Sequence, residues 1–247
     1  MRYLVISDIH ANLEALAAVL DATADVAFSR VLLLGDLVGY GADPNAVIDR
    51  VRAMPDAVVI RGNHDKVASG VESVEGFNHM ARVAIAWTAA ALTDDNRTYL
   101  AALAEGPIDI DEHVEICHGT PFDEDVYVFD DLDALRSIRT SERPVCLYGH
   151  THVPAAFRLS ADELQLIGPP RGERFRVPIN DDGRYLLNCG SVGQPRDGDP
   201  RAAYGVLDTA EHTLTVHRVD YDLKTAQAKI VAAGLPEILA QRLAIGR

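Results

Sequence analysis

Residues 1–12 read MRYLVISDIHAN. Tyr3–Ser7 is short, largely apolar and without the polar alternation of a half-exposed strand, so it predicts a central strand covered on both faces. The strand ends in Ser7-Asp8-Ile9-His10, two side chains with metal-binding chemistry. The same figure recurs along the chain. Val31–Leu34 leads into Gly35-Asp36, and Ala57–Ile60 into Gly62-Asn63-His64-Asp65. Val114–Cys117 leads into His118-Gly119, and Val145–Tyr148 into Gly149-His150-Thr151-His152. Helical patterns lie between the strands, at Leu13–Leu20, Pro44–Arg52, Phe77–Leu92, Asn96–Ala104 and Leu132–Ile138. Asp43-Pro44 reads as N-cap and first helical residue, and Thr93–Asp95 as the cap of the following helix. The order is that of βαβ units, whose ligands bind at the carboxyl ends of the strands.

After His152 the texture changes. Ala155–Leu159, Leu164–Ile167, Phe175–Ile179, Tyr185–Asn188, Ala203–Leu207 and Thr213–Val219 predict strands. Turn signals at Gly168-Pro169-Pro170 and Asp181-Asp182-Gly183 separate them, which suits a mainly antiparallel block. Asp222–Leu243 is amphipathic and is split into two short helices by Gly234-Leu235-Pro236. One domain over 1–247 is expected. A βαβ half over about 1–152 carries the site; a mainly antiparallel half with C-terminal helices covers about 153–247. The two textures are expected to build two sheets.

Composition narrows the function classes. The chain has 247 residues, 48% hydrophobic and 24% charged, which excludes wholesale disorder. The formal net charge of −14 repels nucleic-acid backbone and anionic membrane alike. It leaves room for a small phosphorylated substrate where metal ions reverse the local field. No apolar run approaches the ~20 residues of a membrane span, and the start reads as a strand rather than a signal peptide, so a cytoplasmic protein is expected. Cys117, Cys146 and Cys189 sit far apart in apolar runs and read as buried free thiols.

Asp8, His10, Asp36, Asn63, His118, His150 and His152 form a donor set of carboxylate, imidazole and amide oxygen, with no thiolate. Such donors suit borderline divalent metals: manganese, iron, zinc or nickel. Seven donors exceed what one such ion takes, so a pair is implied. The remaining histidines, His79, His113, His212 and His217, read as surface or core residues.

SDIHAN, GDLVGYG, RGNHD, HG and GHTH together resemble the calcineurin-like metallophosphoesterase superfamily, with its DxH, GDxxxxG, GNH[DE], H and GHxH pattern. The tail NCGSVGQPRDGDPRAAYGVLD resembles the corresponding segment of small bacterial and archaeal members regarded as phosphodiesterases. The resemblance implies an α/β fold of two mixed β-sheets packed as a sandwich and flanked by helices. It implies a first metal held by Asp8, His10, Asp36 and His152. A second would be held by Asp36, Asn63, His118 and His150, with Asp36 bridging. His64 would touch the scissile ester. Two such ions would bind a phosphoryl oxygen and supply an activated water as nucleophile, and His64 would protonate the leaving alkoxide as general acid. Asp65 is the candidate to orient His64.

The sequence also departs from some relatives. Protein Ser/Thr phosphatases and diadenosine tetraphosphate hydrolases of the superfamily carry GDxVDRG. Gly39 and Tyr40 stand here where that Asp and Arg would be. Loss of the arginine fork, a strong binder of dianionic phosphate, favours a phosphodiester over a monoester. Arg196 and Arg201 offer a contact from another direction, or pair with Asp197 and Asp199 or face solvent. Arg171, Arg174 and Arg176 form an exposed hairpin or a flap, and Asp123-Glu124-Asp125 a solvated loop or a repulsive rim. Tyr127 and Phe129 form an apolar wall or core. A phosphomonoesterase or dinucleoside polyphosphate hydrolase is the alternative reading. A protein-binding scaffold like the retromer subunit of this fold lacks the catalytic histidine, whereas His64 is present here. A nuclease is disfavoured by the acidic charge.

Overall fold

The computed structural model describes residues 1–167 and 174–247. Two six-stranded mixed sheets carry the fold. The first runs β3 (Ala57–Val59), β2 (Arg30–Leu33), β1 (Arg2–Ile6), β11 (Ala202–Asp208), β12 (Thr213–Val219) and β9 (Arg174–Pro178). The second runs β4 (Ile108–Asp109), β5 (Val114–Ile116), β6 (Val145–Tyr148), β10 (Arg184–Asn188), β7 (Ala155–Ser160) and β8 (Glu163–Leu166). β1, β2 and β3 pair in parallel, as do β5, β6 and β10. The remaining pairs are antiparallel.

Each sheet therefore mixes the two sequence textures, and the expectation of one texture per sheet is not met. β1 has β2 on one side only. Its other edge is completed antiparallel by β11, with Tyr3 opposite Leu207. β10 joins β6 with Tyr185 opposite Val145. The late strands cover the edges that the βαβ units leave open, since an uncovered edge presents a row of unpaired amides and carbonyls.

The side-chain alternation of β1 shows how the layers are built. Tyr3 and Val5 enter the core between the sheets, with Leu32, Ile116, Leu147, Leu187, Leu207 and Val216. Leu4 and Ile6 face the other way, toward a cluster holding Leu16 and Val19 of helix α1 (Leu13–Ala22) and Val47 and Ile48 of α2 (Pro44–Arg52). Burial on both faces explains the run of apolar residues that marks this strand. Of the remaining helices, α3 (Asn63–Ser69), α4 (His79–Ala91) and α5 (Asp94–Ala101) follow β3. α6 (Asp131–Thr140) covers the outer face of the second sheet through Ala134 and Ile138. α7 (Leu223–Ala232) and α8 (Glu237–Leu243) close on Tyr40 and α4. No helix among the described residues is long and apolar enough to cross a membrane.

Local signals match well. Thr93 caps α5 by accepting from Asn96 N, and Pro44 opens α2. Asp43 occupies the N-cap but makes no cap bond; its carboxylate takes Lys229 Nζ at 2.7 Å. Helix α3 and the two-residue β4 are additional to the sequence reading. Gly168-Pro169-Pro170 and Arg171 lie outside the described residues. Arg174 and Arg176 lie exposed on edge strand β9.

Leu187 is fully buried between the sheets. Leu187→Ala is expected to lower unfolding stability by about 2–5 kcal/mol in urea titrations; a loss well below 1 kcal/mol would contradict the packing described.

Candidate metal centre

The parallel strands of both sheets end at one edge, and the loops that follow them are knitted by main-chain bonds. Asp8 N donates to Gly35 O at 3.1 Å, and His10 N to Asp36 O at 3.0 Å. His150 N donates to Asp8 Oδ1 at 3.1 Å, which joins the GHTH loop to the first strand. Two clusters of donor atoms result. Asp8, His10, Asp36 and His152 form one; Asp36, His118 and His150 form the other. Within each, the atoms lie within 4.8 Å of one another, every residue is buried, and Asp36 belongs to both. Asn63 Oδ1 lies 3.2 Å from His118 Nε2. All seven residues singled out as ligands thus converge.

Backbone carbonyls fix the imidazoles. His10 Nδ1 donates to Val38 O at 3.0 Å, His152 Nδ1 to Gln194 O at 2.7 Å, and His118 Nδ1 to Leu34 O at 2.7 Å. A carbonyl only accepts, so these Nδ1 atoms carry protons, and the neutral rings of His10 and His152 turn an Nε2 lone pair inward. His150 is reversed: its Nε2 donates to Asp125 O at 3.1 Å, which frees Nδ1. His10 Nε2 and His152 Nε2 then face each other at 3.0 Å, with Asp36 Oδ2 3.5 Å from the first and Asp8 Oδ1 3.5 Å from the second. Converging lone pairs and carboxylate oxygens repel one another unless a cation lies among them, so the residues fit a divalent metal. These carbonyls leave no side-chain signal in the sequence. Gln194 is part of the NCGSVGQ segment, whose Ser191 Oγ also donates to Asp8 O at 2.7 Å.

Electrostatics agree. Burial pushes His10 and His152 well below the usual imidazole range, and His150 down to about 3. These rings are neutral, the form that ligates metal. Burial pushes His118 down as well, but the charge and hydrogen bond of Asp36, with Asp8 behind, outweigh it and raise His118 to about 10. Burial pushes Asp36 up, yet His118, His64 and His10 hold it well below the usual carboxylate range.

The backbone is strained where the donors sit. Asp8, His10, Asp36, His150 and His152 all have φ between 49° and 65°. Left-handed conformations cost L-residues roughly 1–2 kcal/mol each and cluster at functional sites. Gly62 permits a close approach: a Cβ there would collide with Asp36 Oδ1.

His64 packs against His10 and Tyr40 at ring-centroid distances of 4.9 and 4.5 Å. Its Nδ1 is buried and has no hydrogen-bond partner. Gly39 lies directly against that nitrogen at φ 92°, in the place of the aspartate that related motifs carry. The expected orienting contact from Asp65 is not present. Asp65 Oδ2 accepts from Gly62 N at 2.9 Å and Oδ1 from Val38 N at 3.2 Å, so it ties the start of α3 to the GDLVGYG loop. Nor is Asp123-Glu124-Asp125 simply a solvated loop. Glu124 is buried and paired with Arg61 and Lys66, and Asp125 presents the carbonyl that holds His150. Tyr127 stacks on His150 at 3.7 Å, while Phe129 is 81% exposed. Arg201 pairs with Asp199 as expected, but Asp197 is taken by Arg218 and not by Arg196.

In the metal-free protein the His118 proton stabilises the fold below pH ~6.5, and that contribution is lost as pH rises toward 10. Metal uptake at pH 7.5 is expected to expel it. Calorimetric titration of manganese in buffers of different ionisation enthalpy should show release of about one proton per chain, absent in His118→Asn. Uptake without proton release would contradict this arrangement.

Likenesses to known proteins bear on this geometry. Residues 1–212 match the model of the calcineurin-like phosphoesterase superfamily domain. An uncharacterised protein, MJ0912, of Methanocaldococcus jannaschii is 35% identical over 98% of this chain and 97% of its own length. The crystal structure of a metallophosphoesterase from Sphaerobacter thermophilus superposes with a TM-score of 0.85, at 38% identity, over 100% of this chain and 99% of that one. The phosphodiesterase YfcE of Escherichia coli K12 is 27% identical over 84% of this chain and 88% of its own. With its matching domain model and these relatives, the chain belongs to the calcineurin-like phosphoesterase superfamily, a membership that supports a hydrolase acting on phosphate esters.

Proposed function

We propose that this protein hydrolyses a small phosphodiester with the help of two divalent metal ions, one in each donor cluster. The observation that carries this reading is the sharing of buried Asp36 between the two clusters. Asp8, His10, Asp36 and His152 would hold one ion, and Asp36, Asn63, His118 and His150 the other. The nitrogen and oxygen donors suit manganese, iron, zinc or nickel. Bound there, the ions supply charge for the phosphoryl oxygens and an activated water as nucleophile.

The chain's own residues orient the substrate and handle the leaving group. A cleft of about 280 Å³ opens beside the clusters, lined by Tyr40, Asn63, His64, Phe77, Tyr127 and His150. The leaving group lies there between aromatic walls, with His64 at its base. Burial pushes His64 down to about 4, with Arg196 and His118 adding to that against the pull of Asp36, so the free ring is neutral. A phosphate anion beside the ring raises its proton affinity, so the ring takes up a proton from solvent as the substrate binds. His64 then gives it to the departing alkoxide as general acid.

Diester preference is supported by Gly39 and Tyr40 in place of Asp and Arg, and by the likeness to a phosphodiesterase. The net charge of −14 supports a small substrate over extended nucleic acid. We place the protein in the cytoplasm, in keeping with its three free, buried cysteines.

Protein stripped of metal and reloaded with manganese, nickel, zinc or magnesium is the test material. Transition-metal forms are expected to cleave bis-p-nitrophenyl phosphate faster than p-nitrophenyl phosphate. His64→Ala should lower kcat roughly a hundred- to ten-thousandfold while metal content stays unchanged. Absence of diester turnover with every metal would overturn the proposal.

A further inference from the structure

We infer that Arg196 grips a non-bridging oxygen of the substrate phosphate, and so sets how well the site takes a dianionic monoester beside a diester. The inference rests on the phosphoesterase reading above and assigns a role to a residue outside the DxH, GDxxxxG, GNH[DE], H and GHxH motifs.

The first observation is a missing partner. In a chain of net charge −14, Arg196 has no carboxylate partner among the described residues. The two nearest acids in sequence are engaged elsewhere, Asp197 by Arg218 and Asp199 by Arg201. Arg196 Nη2 donates to Gln194 Oε1 at 2.9 Å. Its Nε is buried and makes no hydrogen bond. A buried donor left unpaired is costly, and a charged one more so, unless a ligand completes it.

The second is position. Arg196 N donates to His152 O at 3.3 Å, and the neighbouring Gln194 O holds the His152 ring, so the arginine is anchored to a ligand loop. The guanidinium lies over the Tyr40 ring at 5.8 Å. It also stands beside the Tyr127 hydroxyl, where it offsets part of the upward push of burial on both phenols. Tyr40 packs on His10 and His64, and Tyr127 on His150. Arg196 thus links the two aromatic rings that flank the two donor clusters.

The third is chemistry. A guanidinium is always charged and meets phosphate oxygens through a planar fork. Position 40, where related motifs carry the phosphate-binding arginine, is tyrosine here. A guanidinium from the loop after β10 stands above that same tyrosine, so the site keeps some affinity for a dianion although the GDLVGYG arginine is missing. A dianion gains more from it than a monoanion does.

Manganese-loaded wild type, Arg196→Gln and Arg196→Lys are the proteins to compare, with inorganic phosphate as the binding probe. Arg196→Gln is expected to weaken phosphate binding about tenfold in calorimetry. It should cut kcat/KM on p-nitrophenyl phosphate at least about tenfold more than on bis-p-nitrophenyl phosphate. Metal content and thermal midpoint should stay at the wild-type values, and Arg196→Lys should recover part of the loss, having charge without the fork. Unchanged phosphate affinity in Arg196→Gln would overturn the inference, as would equal losses on both esters with a lowered thermal midpoint. Wild-type protein that binds phosphate but turns over neither ester would instead defeat the phosphoesterase reading. In that case the phosphate affinities alone decide the part played by Arg196.

Discussion

Asp36 is a carboxylate removed from water and surrounded by groups that need its charge. It is 1% exposed. Oδ1 accepts from His64 N at 2.9 Å, and Oδ2 lies 3.5 Å from His10 Nε2 and 3.6 Å from His118 Nε2. Burying an ionised carboxylate costs several kcal/mol unless positive charge and hydrogen bonds offset it. In the metal-free chain His118 supplies that charge by holding a proton. Cations shared by the two clusters would supply more, and the placement of the loops follows from that need. Helix α3 begins where it does because its first turn delivers the His64 amide to Asp36. Gly62 before it lacks a side chain because Asp36 occupies the space.

The sheets bear the cost of holding this edge. Five of the donors sit in left-handed backbone, and the loops bond each other through main-chain groups. Such strain persists only when the surroundings over-determine it. Here the surroundings are β1, buried from Tyr3 to Ile6, β6, buried along its length, and the NCGSVGQ segment beneath Asp8. Strands from late in the chain complete both sheets, so the site depends on the C-terminal third even though none of the seven donors lies there.

The donors were legible in the sequence because two signals coincide at each. A buried strand is recognisable from its unbroken apolar run, and Asp, His or Asn at its end has few other reasons to recur five times. Helix boundaries such as Pro44–Arg52 were legible from local capping chemistry. What escaped depends on contacts far apart in sequence. Asp197 pairs with Arg218 because β12 passes beside it, so the adjacent Arg196 is left without that acid. Glu124 is buried because Arg61 and Lys66 reach it from another loop. Asp65 is turned from His64 by two backbone amides, one of them from Val38. Sheet membership was hidden for the same reason, since strand pairing across 200 residues leaves no local mark.

The central claim is that one buried carboxylate organises two metal sites, and metal content tests it most directly. Protein loaded with manganese and freed of excess metal by gel filtration should retain about two ions per chain by elemental analysis. Asp36→Asn, folded by circular dichroism, should lose both. A single ion in the wild type, or two retained by Asp36→Asn, would contradict the shared role of Asp36.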